Sequence, residues 1–130
     1  MNTLFSPIDP EDYSPHLLAY IGDVIFELFF RYKIIKEEKY QVRNAHRKVV
    51  DIVNAKKQAE IIEKIIPYLN EEEIAIVKKA RNKKFSSHPK NVSMAEYRYA
   101  TALEALLGYY FLKQDYDTLS KLFSYIKDSF

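Results

Sequence analysis

The chain has 130 residues and a formal net charge of +2, with 48% hydrophobic and 29% charged residues. This length and composition predict one folded domain with a single core, spanning residues 1–130. The absence of cysteine excludes disulfides, thiolate nucleophiles and cysteine-based zinc sites. The first residues lack the basic flank and apolar core of a signal peptide, so we expect a cytoplasmic protein. Its net charge is too small to indicate a nucleic-acid partner. Only the distribution of charge along the chain can indicate one.

A strongly apolar run at residues 17–35 predicts a long core helix, with Ser14 as its N-cap. Asp23, Glu27 and Arg31 follow one another at steps of four, so they form a narrow polar stripe on that helix. These charges make a membrane span too costly. Acids in a core are usually paired or bound to a metal. The stripe is therefore either a set of ion pairs, within the helix or to a neighbour, or part of a functional site.

The two glycines of the chain both lie inside predicted helices, where each costs roughly 1 kcal/mol relative to alanine. Gly22 precedes Asp23, and Gly108 follows Glu104 by one helical turn. Glycine in a helix permits the close approach of another backbone. We therefore expect these two helices to cross closely and to bring Asp23 and Glu104 together.

The remaining segments also show helical periodicity, and none shows strand alternation. Capping boxes at Asn70 with Glu73 and at Ser93 with Glu96 each predict a helix start, and Pro67 predicts a helix end. The sequence thus predicts an all-α fold of about six helices around one core. In chain order the elements are an irregular lead (1–13), helices at 17–35, 42–53, 55–66 and 70–82, a loop at 83–92, and helices at 93–113 and 115–127.

Basic residues concentrate between residues 78 and 90, and no acid occurs from Val77 to Ala95. A weaker basic zone lies at residues 43–57. Most such runs are solvated helix faces. A basic helix end that continues into a Ser/Asn/Lys loop also suits contact with a phosphate backbone, because it offers charge and flexible donors together.

Basic segments around an acidic pair are typical of metal-dependent phosphodiester hydrolysis, in which divalent cations activate water and stabilise the leaving oxygen. Magnesium prefers carboxylates and keeps several waters, so Asp23 and Glu104 can suffice when the substrate phosphate supplies further oxygens. Histidine is not needed, and we interpret His46 and His88 as surface or RNA-contact residues rather than metal ligands. Metalloprotease, zinc-finger, P-loop and G-x-S-x-G patterns are absent.

Five motifs occur in one order and spacing over about residues 17–122: LAYIGDVIFE (18–27), NAKKQA (54–59), KARNK (79–83), PKN (89–91) and YRYATALEALLGY (97–109). Together they resemble the catalytic domain of the ribonuclease III superfamily, and specifically the short Mini-III ribonucleases. The chain departs from full-length ribonuclease III at Ala19 and Thr101, where the longer enzymes carry acids, and we expect it to lack their double-stranded-RNA-binding domain. The Mini-III branch shares these departures.

This resemblance implies a single ribonuclease III-type helical endonuclease domain that acts as a homodimer. It implies cleavage of double-stranded RNA with Mg²⁺, for which Mn²⁺ can substitute, leaving 5′-phosphate and 3′-hydroxyl ends. Asp23 and Glu104 match the catalytic, metal-binding acids of the family. In Mini-III enzymes the substrate is the paired stalk of precursor 23S ribosomal RNA, and a ribosomal protein is a candidate further partner.

Without a separate RNA-binding domain, the catalytic domain is expected to grip the duplex itself. Arg98 is a candidate for RNA contact and equally a candidate structural partner for an acid. Lys56 is also a candidate for RNA contact, but its helix is equally a candidate solvated face. The candidate RNA-binding residues are Lys56, Arg81, Asn82, Lys83, Lys84, His88, Lys90, Asn91 and Arg98.

The alternative function is a non-catalytic helical dimer that binds RNA or ribosomal proteins. The reduced set of acids motivates this alternative, whereas the retention of both Asp23 and Glu104 favours the enzyme. In either case the exposed face of the Asp23 helix is the expected dimer seam.

Overall fold

The computed structural model describes residues 4–38, 44, 47, 49–50 and 53–130. Within these ranges the chain is all-helical and contains no strand, so the predicted fold class is confirmed. The predicted helix at 42–53 lies mostly outside the described residues, as does His46. The complete helices are α1 (Pro15–Glu38), α2 (Ala55–Ile65), α3 (Glu71–Arg81), α4 (Met94–Leu112) and α5 (Tyr116–Asp128), with a 3-10 turn at Ile66–Tyr68.

Side-chain caps define where the helices begin. Both predicted capping boxes are present. In the first, Asn70 Oδ1 accepts from the Glu73 N–H at 2.8 Å, and Glu73 Oε1 accepts from the Asn70 N–H at 2.9 Å. Ser93 and Glu96 form the same reciprocal pair at 3.0 Å in each direction. Each box satisfies two backbone donors that the first helical turn leaves unpaired.

Helix α1 is longer than the sequence predicts. The helix starts at Pro15, as the predicted N-cap Ser14 requires, but it continues past residue 35 to Glu38, into the charged cluster that was expected to end it. Lys33 Nζ lies 3.0 Å from Glu37 Oε2, one turn further along. Such i, i+4 pairs stabilise an exposed helical turn, which explains why the added charges extend the helix.

Helix α4 occupies the centre of the molecule and packs against α1, α2, α3 and α5. From residue 100 to residue 110 every side chain is buried except that of Glu104, which is half-buried. Phe26 of α1 and Leu122 of α5 are among the fully buried residues around it. No helix in the described ranges combines the length and apolarity that crossing a membrane requires.

Helix α1 buries only part of its circumference, although its composition predicts burial nearly all round. The core side carries Phe26 and Phe30. The opposite side leaves a continuous stripe of large apolar residues between 57% and 81% exposed. This α1 stripe consists of Leu17, Tyr20, Val24, Leu28, Tyr32 and Ile35.

Helices α1 and α4 cross with their backbones in direct contact at the two glycines. A Cβ atom added at Gly22 would lie 1.7 Å from the carbonyl oxygen of Glu104. A Cβ added at Gly108 would lie 1.9 Å from the carbonyl oxygen of Leu18. Because the obstructing atoms belong to the backbone, no rotamer change can make room. The close crossing expected from the sequence is therefore present.

Replacing Gly22 by alanine should destabilise the protein. In an ordinary helix interior Gly→Ala stabilises by roughly 1 kcal/mol, but here the methyl group must push α1 and α4 apart. We expect Gly22→Ala to lower the free energy of unfolding by about 3 kcal/mol. Urea denaturation measures this change. An unchanged or raised stability would contradict the backbone contact.

Candidate active site

The crossing of α1 and α4 brings the carboxyl groups of Asp23 and Glu104 within hydrogen-bonding reach of each other. Asp23 is exposed and Glu104 is half-buried. The ion-pair interpretation of the α1 polar stripe is confirmed for Glu27 and Arg31. Arg31 pairs with Glu27 at 2.5 Å, whereas Asp23 turns toward the acid of the neighbouring helix.

The proximity of the two acids changes the ionisation of Glu104. Burial raises the pKa of Glu104 from 4.5 to about 9, and the hydrogen bond to Asp23 and its negative charge act in the same direction. A buried amide opposes this shift in part, since Gln58 Nε2 on α2 donates to Glu104 Oε2 at 3.3 Å. The pair therefore retains a proton near neutral pH when no cation is bound.

The two acids open into a cleft of about 380 Å³. Helices α1 and α4 supply its two walls. Ala19 and Thr101, the positions where longer ribonuclease III enzymes carry acids, both line it. The Thr101 hydroxyl donates to the Tyr97 carbonyl at 2.9 Å, so it is turned toward its own helix. The lining residues are His16, Ala19, Tyr20, Ile21, Asp23, Val24, Tyr97, Thr101 and Glu104.

His16 and Tyr97 belong to this cleft, although the sequence analysis did not select them. His16 precedes Asp23 by seven residues, and Tyr97 precedes Glu104 by seven. Two helical turns place residues seven apart on one face. That spacing was the signal that could have identified both. Gln58, which contacts Glu104, lies within the NAKKQA motif but is not among the predicted site residues.

The donor set fits a hard divalent cation with few protein ligands. Two carboxylates that share a proton carry excess negative charge, which such a cation would neutralise. No third His, Cys, Asp or Glu joins them to form a larger ligand cluster among the residues that the structure describes. A metal held by Asp23 and Glu104 would take its remaining ligands from water and substrate oxygens.

The basic loop at residues 82–92 lies beside this cleft. Its polar candidates Asn82, Lys83, Lys84, His88, Lys90 and Asn91 are all exposed. Phe85 connects the loop to the cleft, because its ring packs edge-on against His16 at 4.8 Å and Tyr97 at 5.0 Å between centroids. In the described part of the chain, no salt bridge occupies the three lysines of the loop.

The three candidate RNA-binding residues outside the loop differ in their surroundings. Arg81, the last residue of α3, is half-buried, and its guanidinium lies 5.8 Å from the Tyr99 ring centroid. Lys56 is exposed on the first turn of α2. Arg98 is half-buried, and its Nε atom is buried without a hydrogen-bond partner within the described residues. None of the three lines the carboxylate cleft.

An all-helical domain with two facing acids in a cleft beside a basic loop has the features of a metal-dependent nuclease. The Ribonuclease III domain model matches residues 16–115 of the chain. The chain therefore belongs to the ribonuclease III family of endoribonucleases, and its curated relatives include proteins named Mini-ribonuclease 3.

Two of these relatives cover most of the chain. Mini-ribonuclease 3 of Thermoanaerobacter sp. (strain X514) is 42% identical over 109 residues, which are 84% of this chain and 77% of that protein. Mini-ribonuclease 3 of Clostridium tetani is 39% identical over 119 residues, which are 91% and 79% of the two proteins. A crystal structure of a Fusobacterium nucleatum protein has a TM-score of 0.79 and 37% identity, and the match covers 92% of this chain and 96% of that one.

The raised pKa of Glu104 predicts a pH dependence of stability in the metal-free protein. A carboxyl with a higher pKa in the folded state binds extra protons when folded, so stability falls as pH rises between 4.5 and about 9. In the presence of chelator, we compare the unfolding free energy of the wild type with that of Glu104→Gln. The wild-type value minus the variant value should fall as the pH rises from about 5.5 to about 8.5. The slope should reach at most about 1.4 kcal/mol per pH unit.

Urea denaturation of both proteins across this pH range measures the difference. Contributions from titrating groups distant from Glu104 cancel in the comparison. Parallel stability curves would show that Glu104 titrates at its ordinary pKa in the folded chain.

Proposed function

We propose that this chain is a Mg²⁺-dependent endoribonuclease that cleaves double-stranded RNA, with Mn²⁺ able to substitute. Asp23 and Glu104 are its proposed catalytic residues and metal ligands. The observation that carries this proposal is the meeting of two carboxyl groups, 81 positions apart in sequence, in a cleft open to solvent. Membership of the ribonuclease III family supports RNA as the substrate.

Each group at the site then has a physical role. Mg²⁺ bound there would supply an activated water and neutralise charge on the scissile phosphate. Asp23 and Glu104 would hold it, and the glycine crossing keeps their helices at a fixed separation. Gln58 restrains Glu104 by donating to one of its two oxygens. Cleavage of the bond between phosphorus and the 3′-oxygen leaves 5′-phosphate and 3′-hydroxyl ends.

The basic loop is the proposed binding segment for the RNA duplex. Its exposed lysines and amides stand beside the cleft, where they can reach backbone phosphates near the cut. A-form RNA hides its base edges in a deep major groove, so contact is expected with phosphates and 2′-hydroxyls. The proposed RNA-binding residues are Arg81, Asn82, Lys83, Lys84, His88, Lys90 and Asn91, with Lys56 and Arg98 as outlying contacts.

The α1 stripe is the proposed homodimer seam. Its six large apolar side chains form a continuous exposed surface on the helix that also carries Asp23. Exposed apolar patches of this kind mark association surfaces. A two-fold pairing through α1 would place two carboxylate clefts in one particle, one for each strand of a duplex.

The proposed cellular substrate is the paired stalk of precursor 23S ribosomal RNA, processed in the cytoplasm with a ribosomal protein as a further partner. The resemblance to the Mini-III ribonucleases is the basis of this assignment, and the relatives named Mini-ribonuclease 3 agree with that branch of the family. The alternative of a non-catalytic module is less consistent with the site. Asp23 faces an open cleft and forms no ion pair within the described residues.

Asp23→Asn should abolish cleavage while leaving folding and RNA binding nearly intact, because the amide keeps the shape of the side chain but weakens metal coordination. We expect kcat to fall by at least about 1000-fold, since a bound metal contributes several kcal/mol to catalysis. A gel assay on a long RNA duplex, with Mg²⁺ or with chelator, measures this loss.

Glu63→Gln is the matched control, because Glu63 is an exposed acid on α2 outside the cleft. This control should cleave like the wild type. Full activity of Asp23→Asn would remove Asp23 from the mechanism, and cleavage by the wild type in chelator would remove the metal.

Replacing Lys83 and Lys84 together by alanine should weaken RNA binding and flatten its salt dependence. Each lost phosphate contact should reduce the slope of log Kd against log salt concentration by about 1. Fluorescence anisotropy of a labelled duplex in chelator measures both quantities. Lys64→Ala is the control, since Lys64 Nζ donates to the Ser129 carbonyl at 3.0 Å, away from the loop. An unchanged salt slope in the double variant would exclude the loop from phosphate contact.

A further inference from the structure

Phe85 is the half-buried residue in the middle of the basic loop. Every other residue from 82 to 91 is exposed, and Val92 at the end of the loop is again half-buried. The backbone hydrogen bonds of this segment are local, from Lys83 N to the Ala80 carbonyl and from Val92 N to the Pro89 carbonyl. The Phe85 ring, in contrast, makes two contacts with residues distant in sequence, and these connect the middle of the loop to the rest of the fold.

The partners of Phe85 are both part of the carboxylate cleft. Its ring packs edge-on against His16 on α1, with the centroids 4.8 Å apart and the planes at 80°. It packs in the same way against Tyr97 on α4, at 5.0 Å and 73°. Edge-to-face geometry at these separations is the favourable arrangement for aromatic rings. His16 and Tyr97 each lie seven residues before one of the two acids.

We propose that Phe85 is a positioning residue that fixes the basic loop against the cleft, and so sets which phosphodiester of a bound duplex lies at Asp23 and Glu104. This inference rests on the proposed function. The lysines of the loop supply attraction to phosphates, which is insensitive to register along the backbone. The ring contacts fix the distance between those lysines and the two acids.

Loss of the ring should therefore affect register more than affinity. Without Phe85 the lysines keep their charge and still bind phosphates, but the loop takes several positions relative to the cleft. Small displacements of a substrate from the reactive geometry cost large factors in rate. A smaller fraction of bound duplexes is then cut, and neighbouring phosphodiesters are cut in addition.

The test compares Phe85→Ala and Phe85→Leu with the wild type on an end-labelled RNA duplex. Single-turnover cleavage in Mg²⁺ gives the rate and the cut positions, and anisotropy in chelator gives Kd and its salt slope. We expect both variants to cleave about 10-fold more slowly and at additional neighbouring positions. Kd should stay within about twofold, with the wild-type salt slope.

Two further variants separate positioning from general damage to the loop. Phe85→Tyr retains the ring and should restore the rate and the cut positions. Ser87→Ala changes an exposed residue of the same loop and should match the wild type. Backbone ¹⁵N relaxation of residues 83–91 should show increased mobility in Phe85→Ala and Phe85→Leu alone.

Wild-type cut positions and rate in Phe85→Ala would overturn the proposal. A loss of affinity and salt slope as large as that of the Lys83→Ala and Lys84→Ala double variant would also overturn it, since Phe85 would then act in binding. Failure of the wild type to cut any duplex would instead reject the proposed function. Unchanged backbone mobility of residues 83–91 in Phe85→Ala would then still reject the anchoring of the loop.

Discussion

The contact between the backbones of α1 and α4 is the constraint on which the rest of the molecule depends. Gly22 lies against the carbonyl of Glu104, and Gly108 lies against the carbonyl of Leu18. One of these contacts therefore involves an acid of the cleft directly, and the other lies one turn away. The separation of the two carboxyl groups is set by helix packing rather than by flexible loops, which is the arrangement that holds a site most precisely.

Much of the fold could be predicted from the sequence because its signals are local. Two capping boxes, at Asn70 and Ser93, define helix starts within single turns of chain. The glycine positions then indicated a long-range contact, because glycine is costly in a helix unless another backbone needs the space. Family motifs added the order of the elements, and the match to residues 16–115 agrees with them.

Other features could not be predicted because they depend on which faces meet. An apolar circumference does not distinguish a helix buried on all sides from one that exposes a stripe, and α1 is of the second kind. The hydrogen bond between Gln58 and Glu104 joins residues 46 positions apart on different helices. No local sequence pattern predicts such a contact. His16 was overlooked because it lies before the family motifs, and its place in the cleft follows only from the seven-residue spacing to Asp23.

The small number of acids in the cleft has a consequence for the proposed metal site. Ala19 and Thr101 line the cleft without offering carboxylates, and the Thr101 hydroxyl is engaged with its own helix. A cation held only by Asp23 and Glu104 must draw most of its ligands from water and phosphate. Binding of the metal and binding of RNA would then strengthen each other, because linkage between two ligands is reciprocal. Without a cation the carboxyl pair keeps one proton near neutral pH, so a bound cation would have to displace that proton.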